Sequence, residues 1–121
     1  MAQKILIVDD EPHIRELVGA VLESEGYDVD RAEDGPNALE KLKKNKYSLV
    51  VLDMMMPGMS GREVCEKIRE TDKKQKVVFL TVARFSETGK NVLDELNVSD
   101  YLTKPFENDE LVVKVKKYLE I

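Results

Sequence analysis

The most constraining stretch of the chain is the run Leu49 to Asp53, LVVLD, followed closely by Pro57, Gly58 and Gly61. Leu49, Val50, Val51 and Leu52 are too few for an independent helix and lack polar alternation. They predict a strand buried on both faces, the kind found in parallel sheets covered by helices. The run ends on a carboxylic acid, and the proline and glycines break the chain soon afterwards. In an open α/β sheet, ligands collect beyond the carboxyl ends of the strands, so Asp53 stands where a reactive carboxylate is expected.

The rest of the chain repeats the same grammar. Lys4 to Val8 (KILIV) predicts another buried strand, and it too ends in acids, Asp9-Asp10-Glu11. Pro12 suits the first turn of a helix, where its missing N–H has no partner to lose. Ile14, Leu17, Val18, Val21 and Leu22 recur at helical spacing until Gly26 supplies a left-handed stop. Tyr27 to Ala32 alternates as a strand, with Asp28 and Asp30 on its solvent side. Gly35 to Lys44 follows as a helix with Ala38, Leu39 and Leu42 inward.

Ser60-Gly61-Arg62-Glu63 has the spacing of a capping box, so a helix starts there and carries Val64, Cys65 and Ile68 inward. Lys76 to Thr81 predicts a fourth strand and Ser99 to Thr103 a fifth. A helix is expected between them, over about Ser86 to Leu96, weakened by Gly89. A last helix from about Asn108 to Glu120 aligns Leu111, Val115 and Leu119 on one stripe. Five strand–helix units in succession predict one α/β domain over 1–121: a five-stranded parallel sheet with helices on both faces, joined by right-handed crossovers.

Composition narrows the function. The chain has 121 residues, 42% hydrophobic and 36% charged, which suits one globular core. A net charge of -5 leaves no basic surplus for phosphate backbones and argues against direct nucleic-acid binding. The single cysteine, Cys65, permits neither an internal disulfide nor a cysteine zinc site. The four apolar residues of ILIV are too short for a signal core or a membrane span, so a soluble, cytoplasmic protein is expected.

Three acids, Asp9, Asp10 and Asp53, fall at strand ends, and if those strands are neighbours the acids converge. Like charges a few ångströms apart repel by roughly 1–4 kcal/mol per pair. A divalent cation would relieve that, and hard oxygen ligands with room for water suit Mg²⁺. Thr81 and Lys104, at the ends of the fourth and fifth strands, add a hydroxyl and an ammonium to the same edge. Around a divalent ion this set predicts phosphoryl transfer in which a carboxylate is the nucleophile. Met54, Met55 and Met56 read as packing and loop residues, His13 as a surface residue, and Cys65 as a small buried hydrophobe.

ILIVDDE at the first strand, LDMMMPGMSG at the central one, FLT at the fourth and DYLTKPF at the fifth together resemble the receiver domain of two-component response regulators. The resemblance covers essentially the whole chain and implies the flavodoxin-like (βα)5 receiver fold. It implies that Asp53 accepts a phosphoryl group from a histidine kinase's phosphohistidine. By the same resemblance, Asp10, Asp53 and the main-chain carbonyl of Met55 hold Mg²⁺, with Asp9 acting through water. Lys104 pairs with the phosphoryl oxygens, Thr81 hydrogen-bonds them, and Tyr101 is the aromatic that changes rotamer with Thr81. Pro105 matches the family's Lys-Pro, often a cis bond. The implied product is a switch, a phosphoacceptor that assists its own phosphorylation and dephosphorylation rather than an enzyme. Its expected partners are a sensor kinase or histidine phosphotransfer protein, and a downstream protein on the face of the fourth helix, fifth strand and last helix, around Tyr101, Phe106 and Tyr118.

Two departures stand out: Val82 separates Thr81 from the small residue Ala83, and Asn97-Val98-Ser99 replaces the common Gly-Ala-Asp. Alternatives within the family are a phosphorelay intermediate or a fragment of a longer regulator. A flavodoxin-type cofactor module is disfavoured because Asp9-Asp10-Glu11 would repel a flavin phosphate. A metal-dependent phosphohydrolase of the haloacid-dehalogenase type would want a second Asp where Met55 stands.

Overall fold

Strand pairing follows the apolar runs. A computed structural model describes residues 2–82 and 94–120. The elements run β1 (Lys4–Val8), α1 (Pro12–Ser24), β2 (Asp28–Ala32), α2 (Gly35–Lys44), β3 (Leu49–Asp53), α3 (Gly61–Thr71), β4 (Val77–Thr81), β5 (Asp100–Thr103) and α4 (Asn108–Leu119). The five strands form one parallel sheet in the order β2-β1-β3-β4-β5. The expected helix over 86–96, with Gly89, Val92 and Leu93, lies mostly outside the described residues; Asp94 and Glu95 are helical.

Alternate side chains of the buried strands point to opposite layers. Leu6, Val8, Val50, Leu52, Val77 and Phe79 pack with Ala38 of α2 and Val64, Cys65 and Ile68 of α3. Ile5, Ile7, Leu49, Val51, Val78 and Leu80 pack with Val18 and Leu22 of α1 and with Leu111, Val115 and Leu119 of α4. A two-faced apolar strand needs helices on both sides, and the sheet has them.

Local signals set the helix ends. Pro12 opens α1, and past its end Gly26 takes φ 93°, which Gly tolerates without a Cβ clash. Asp34 caps α2 by accepting the Asn37 N–H at 2.9 Å, and Ser60 with Glu63 forms the capping box of α3. Asn97 sits at φ 54°, so the residue standing in place of the usual glycine does adopt the left-handed region. The Lys104–Pro105 bond is cis.

Two sequence expectations need correction. Leu17 is 41% exposed rather than on the inner face of α1. At 3.6 residues per turn it lies about 120° round from the midpoint between buried Val18 and Leu22. Asp30 is only half exposed, accepting the Tyr47 hydroxyl at 2.6 Å and lying 3.4 Å from the Lys4 ammonium. Burial opposes its ionisation, but the Tyr47 bond and Lys4 outweigh it and lower its pKa.

Candidate functional site

Register builds the site. β1 and β3 are neighbours with Val8 opposite Leu52, so Asp9 and Asp53 leave the sheet at the same level. On the other side of β3, Asp53 pairs with Leu80, and Thr81 of β4 pairs with Thr103 of β5. Thr81 and Lys104 thereby follow on the same carboxyl edge. The Lys104 N–H donates to the Thr81 carbonyl at 2.6 Å, fixing where the lysine side chain starts.

Asp9 is fully buried and Asp53 is 3% exposed, whereas Asp10 is less buried than either. One carboxylate oxygen from each of the three lies within 4.8 Å of those of the other two. Asp9 Oδ1 accepts the Glu11 N–H at 2.9 Å, and Asp9 Oδ2 accepts from Lys104 Nζ at 2.9 Å. Asp53 Oδ1 accepts the Met55 N–H at 3.1 Å, and its Oδ2 lies 3.7 Å from Lys104 Nζ. The lysine side chain is only 9% exposed, so its ammonium is held among the acids.

Gly61 closes the loop after β3. Its N–H donates to the Met54 carbonyl at 3.0 Å, and a Cβ there would run into the Asp53 carbonyl. The start of α3 can approach the Asp53 backbone this closely only without a side chain. Met54 packs on the core, Met56 is buried, and Met55 points outward.

The charges do not balance. Burial, then the charge of Asp9, push Asp53 up to about 7, while Lys104 and the Met55 N–H hold it down and Asp10 adds to the rise. For Lys104, burial works against the charged form. The hydrogen bond it donates to Asp9 and the charges of Asp9, Asp53 and Glu11 outweigh it and raise the lysine above its ordinary value. A cluster of hard oxygen donors with one ammonium, and no His or Cys among the three metal-liganding candidates, fits a divalent cation of the Mg²⁺ type.

A model of the response regulator receiver domain matches residues 5–116. The chain belongs to that family. This receiver is 43% identical over 116 residues to the transcriptional regulatory protein ResD of Bacillus subtilis, covering 96% of this chain and 48% of ResD. It thus spans about half the length of the curated relatives it matches. Chemotaxis protein CheY4 of Vibrio cholerae superposes with a TM-score of 0.92 at 30% identity, over 98% of this chain and 99% of that one. TrrA of Thermotoga maritima, solved with Mg²⁺ and BeF, gives a TM-score of 0.84 at 44% identity, over 96% and 98% of the two chains. The α/β receiver fold inferred from the motifs is the one observed.

Asp9, Asp10, Asp53 and Lys104 come together as the sequence predicted, and Thr81 is buried at the adjoining strand end. Tyr101 is half-buried, with Lys114 Nζ 5.4 Å from its ring centre. His13 is exposed and Cys65 fully buried, as expected. Val82 is 63% exposed, and the loop that follows it lies outside the described residues.

Sequence reasoning missed two contributors. Glu11 comes within 3.8 Å of Lys104, and Arg15 donates to the Asp9 carbonyl at 2.7 Å. The acidic run Asp9-Asp10-Glu11 carried a signal for the first. The second depends on how α1 docks, which no local pattern encodes. Among the described residues no helix is long and apolar enough to cross a membrane.

Proposed function

We propose that the chain is a phosphorylation-controlled switch in which Asp53 accepts a phosphoryl group from a histidine kinase's phosphohistidine. The observation that carries this reading is the buried Asp53 carboxylate, 3.7 Å from Lys104 and clustered with Asp9 and Asp10 in a receiver-family chain. An Asp53 oxygen forms the new P–O bond as the P–N bond to the imidazole breaks. The departing nitrogen keeps the bonding pair and is protonated from solvent. Lys104 stands ready to balance charge on the transferred oxygens, and burial keeps competing water away.

Asp10, Asp53 and the Met55 carbonyl are the groups that would hold Mg²⁺, with Asp9 linked through water. Bound there, the ion would supply charge stabilisation to the transferred group. The Thr81 hydroxyl would engage a phosphoryl oxygen and Tyr101 would pass that contact to the partner face around Phe106 and Tyr118. The product is a phosphoacceptor rather than an enzyme, acting in the cytoplasm on protein partners. A second reading, as the receiver part of a longer regulator, is favoured by the half-length match to transcriptional regulatory proteins.

With Mg²⁺ and acetyl phosphate, the intact mass is expected to rise by one phosphoryl group, mapped to Asp53, and Asp53→Ala is expected to take up none. Label on His13, or undiminished uptake by Asp53→Ala, overturns the assignment.

A further inference from the structure

The amino edge of the sheet, opposite the acids, carries a groove of about 660 Å³ between the ends of α2 and α3. Leu39, Leu42, Ile68 and the Tyr47 ring give it an apolar floor. Its polar walls are already satisfied. The Tyr47 hydroxyl donates to Asp30, Gln75 Nε2 donates to the Tyr47 carbonyl at 3.1 Å, and the Thr71 hydroxyl donates to the Ile68 carbonyl at 3.2 Å. Asp72 Oδ1 accepts the N–H groups of Lys74 and Gln75 at 2.8 and 3.1 Å.

The rim is different. Lys43, Lys46 and Lys67 border the groove and form no ion pair among the described residues, whereas nearby Lys4 and Lys44 pair with Asp30 and Glu40. The macrodipole of α2 gives Lys43 a reason to sit in that helix's last turn. It gives none for Lys46, which follows the helix, or for Lys67, which precedes the last turn of α3. Three segments of a chain with net charge -5 thus bring unpaired cations to one apolar strip.

We propose that this groove docks an acidic amphipathic helix of a partner protein. Its apolar side would lie on Leu39, Leu42 and Ile68 and its carboxylates against Lys43, Lys46 and Lys67. Leu39 to Lys43 of α2 and Lys67 to Thr71 of α3 each rise about 6 Å. The groove thus seats a little over one turn of a docked helix, and the segments beyond the two helix ends extend it. The rim is mixed, with Glu70 and Asp72 beside the lysines. A partner must therefore set discrete carboxylates toward Lys43, Lys46 and Lys67 only, which a continuous phosphate backbone does not do. A compact anion would leave the apolar floor wet. The groove lies at the opposite edge from the acceptor, so docking there is independent of the phosphoacceptor reading.

The test is an amide-shift titration of the full chain with a probe peptide of about 14 residues, leucines at helical spacing and glutamates elsewhere. A matched peptide with lysines for glutamates is the control. Saturable shifts are expected on residues 39–47 and 67–75, with affinity falling about tenfold from low to 0.5 M salt, roughly a threefold shorter screening length. The triple variant Lys43→Glu, Lys46→Glu, Lys67→Glu changes only exposed side chains. It is expected to lose the acidic peptide and take up the basic one. Asp53→Ala is expected to bind like wild type. Absence of saturation, shifts centred elsewhere, or equal binding by the triple variant overturns the proposal. So does a groove that takes dodecanoate but not the peptide.

Discussion

Asp53 and Asp100 are carboxylates at opposite ends of strands in one sheet, and their surroundings push them in opposite directions. Asp100 starts β5 and is amply supplied with donors: its own neighbour's N–H at 2.8 Å, Lys114 at 3.1 Å and the Tyr118 hydroxyl at 2.9 Å. Burial pulls its pKa up, yet those partners win and lower it. Asp53 has one main-chain donor and a lysine already held by Asp9, and its pKa rises to about 7. The first carboxylate ties β5 to α4. The second is left short of positive charge, which a divalent cation at the acidic cluster would supply. Asp100 and Asp53 are thus separated by donor supply rather than by burial alone.

The largest effect that sharpens the contrast is metal dependence. Mg²⁺ at about a hundredfold its dissociation constant stabilises a protein that binds it only when folded by roughly 2.7 kcal/mol. Thermal melts with chelator and with Mg²⁺ are expected to show that gain in wild type and Asp100→Asn. Asp53→Asn and Asp10→Asn are expected to show little of it. Equal gains in all four would dissolve the distinction.

Next in size is the metal-free penalty itself. In chelator, Asp53→Asn is expected to raise stability by about 1–2 kcal/mol through relief of like-charge repulsion, the buried amide's desolvation offsetting part of the gain. The pH course follows from the raised pKa. The folded state binds the Asp53 proton more tightly than the unfolded chain, whose value is near 3.9. Wild-type stability is therefore expected to fall as pH rises from about 4 through 7, relative to Asp53→Asn, and the two melting curves should converge in acid. Divergence in acid would refute the sign.

The smallest effect runs the other way. Asp100→Asn is expected to lower stability by about 1 kcal/mol, since its bonds to Lys114 and Tyr118 are partly solvated. With its folded pKa below the unfolded value, that contribution is present at neutral pH and lost only as pH drops below about 4, through the folded pKa. An Asp100→Asn melt matching wild type at pH 7 would mean that the β5–α4 junction draws nothing from its carboxylate.

Much of this was legible from local patterns. Apolar runs such as LVVLD announced buried strands, and their order with intervening helices fixed a parallel sheet. The acids at two strand ends pointed to one pocket because parallel strands leave all carboxyl ends on one edge. What escaped came from docking between distant segments. Leu17 fits a helical stripe by spacing, yet its exposure depends on how α1 rolls on the sheet. Asp30 looked solvent-facing because nothing near it in sequence reveals that Tyr47 reaches its carboxylate. Likewise Asp100 finds Lys114 and Tyr118 only once α4 has folded back beside β5.

Cys65 gives the molecule a built-in clock. It is the chain's single thiol, fully buried on the inner face of α3, and burial raises its pKa so that little thiolate forms in place. A thiol reagent can reach it only during an opening, so the rate of modification counts those events. When reclosing outruns modification, that rate yields the free energy of the opening that exposes α3. Slowing by Mg²⁺ would mean that α3 parts company with the sheet only when the acidic edge comes apart too. Indifference to Mg²⁺ would mean that the helix breathes alone.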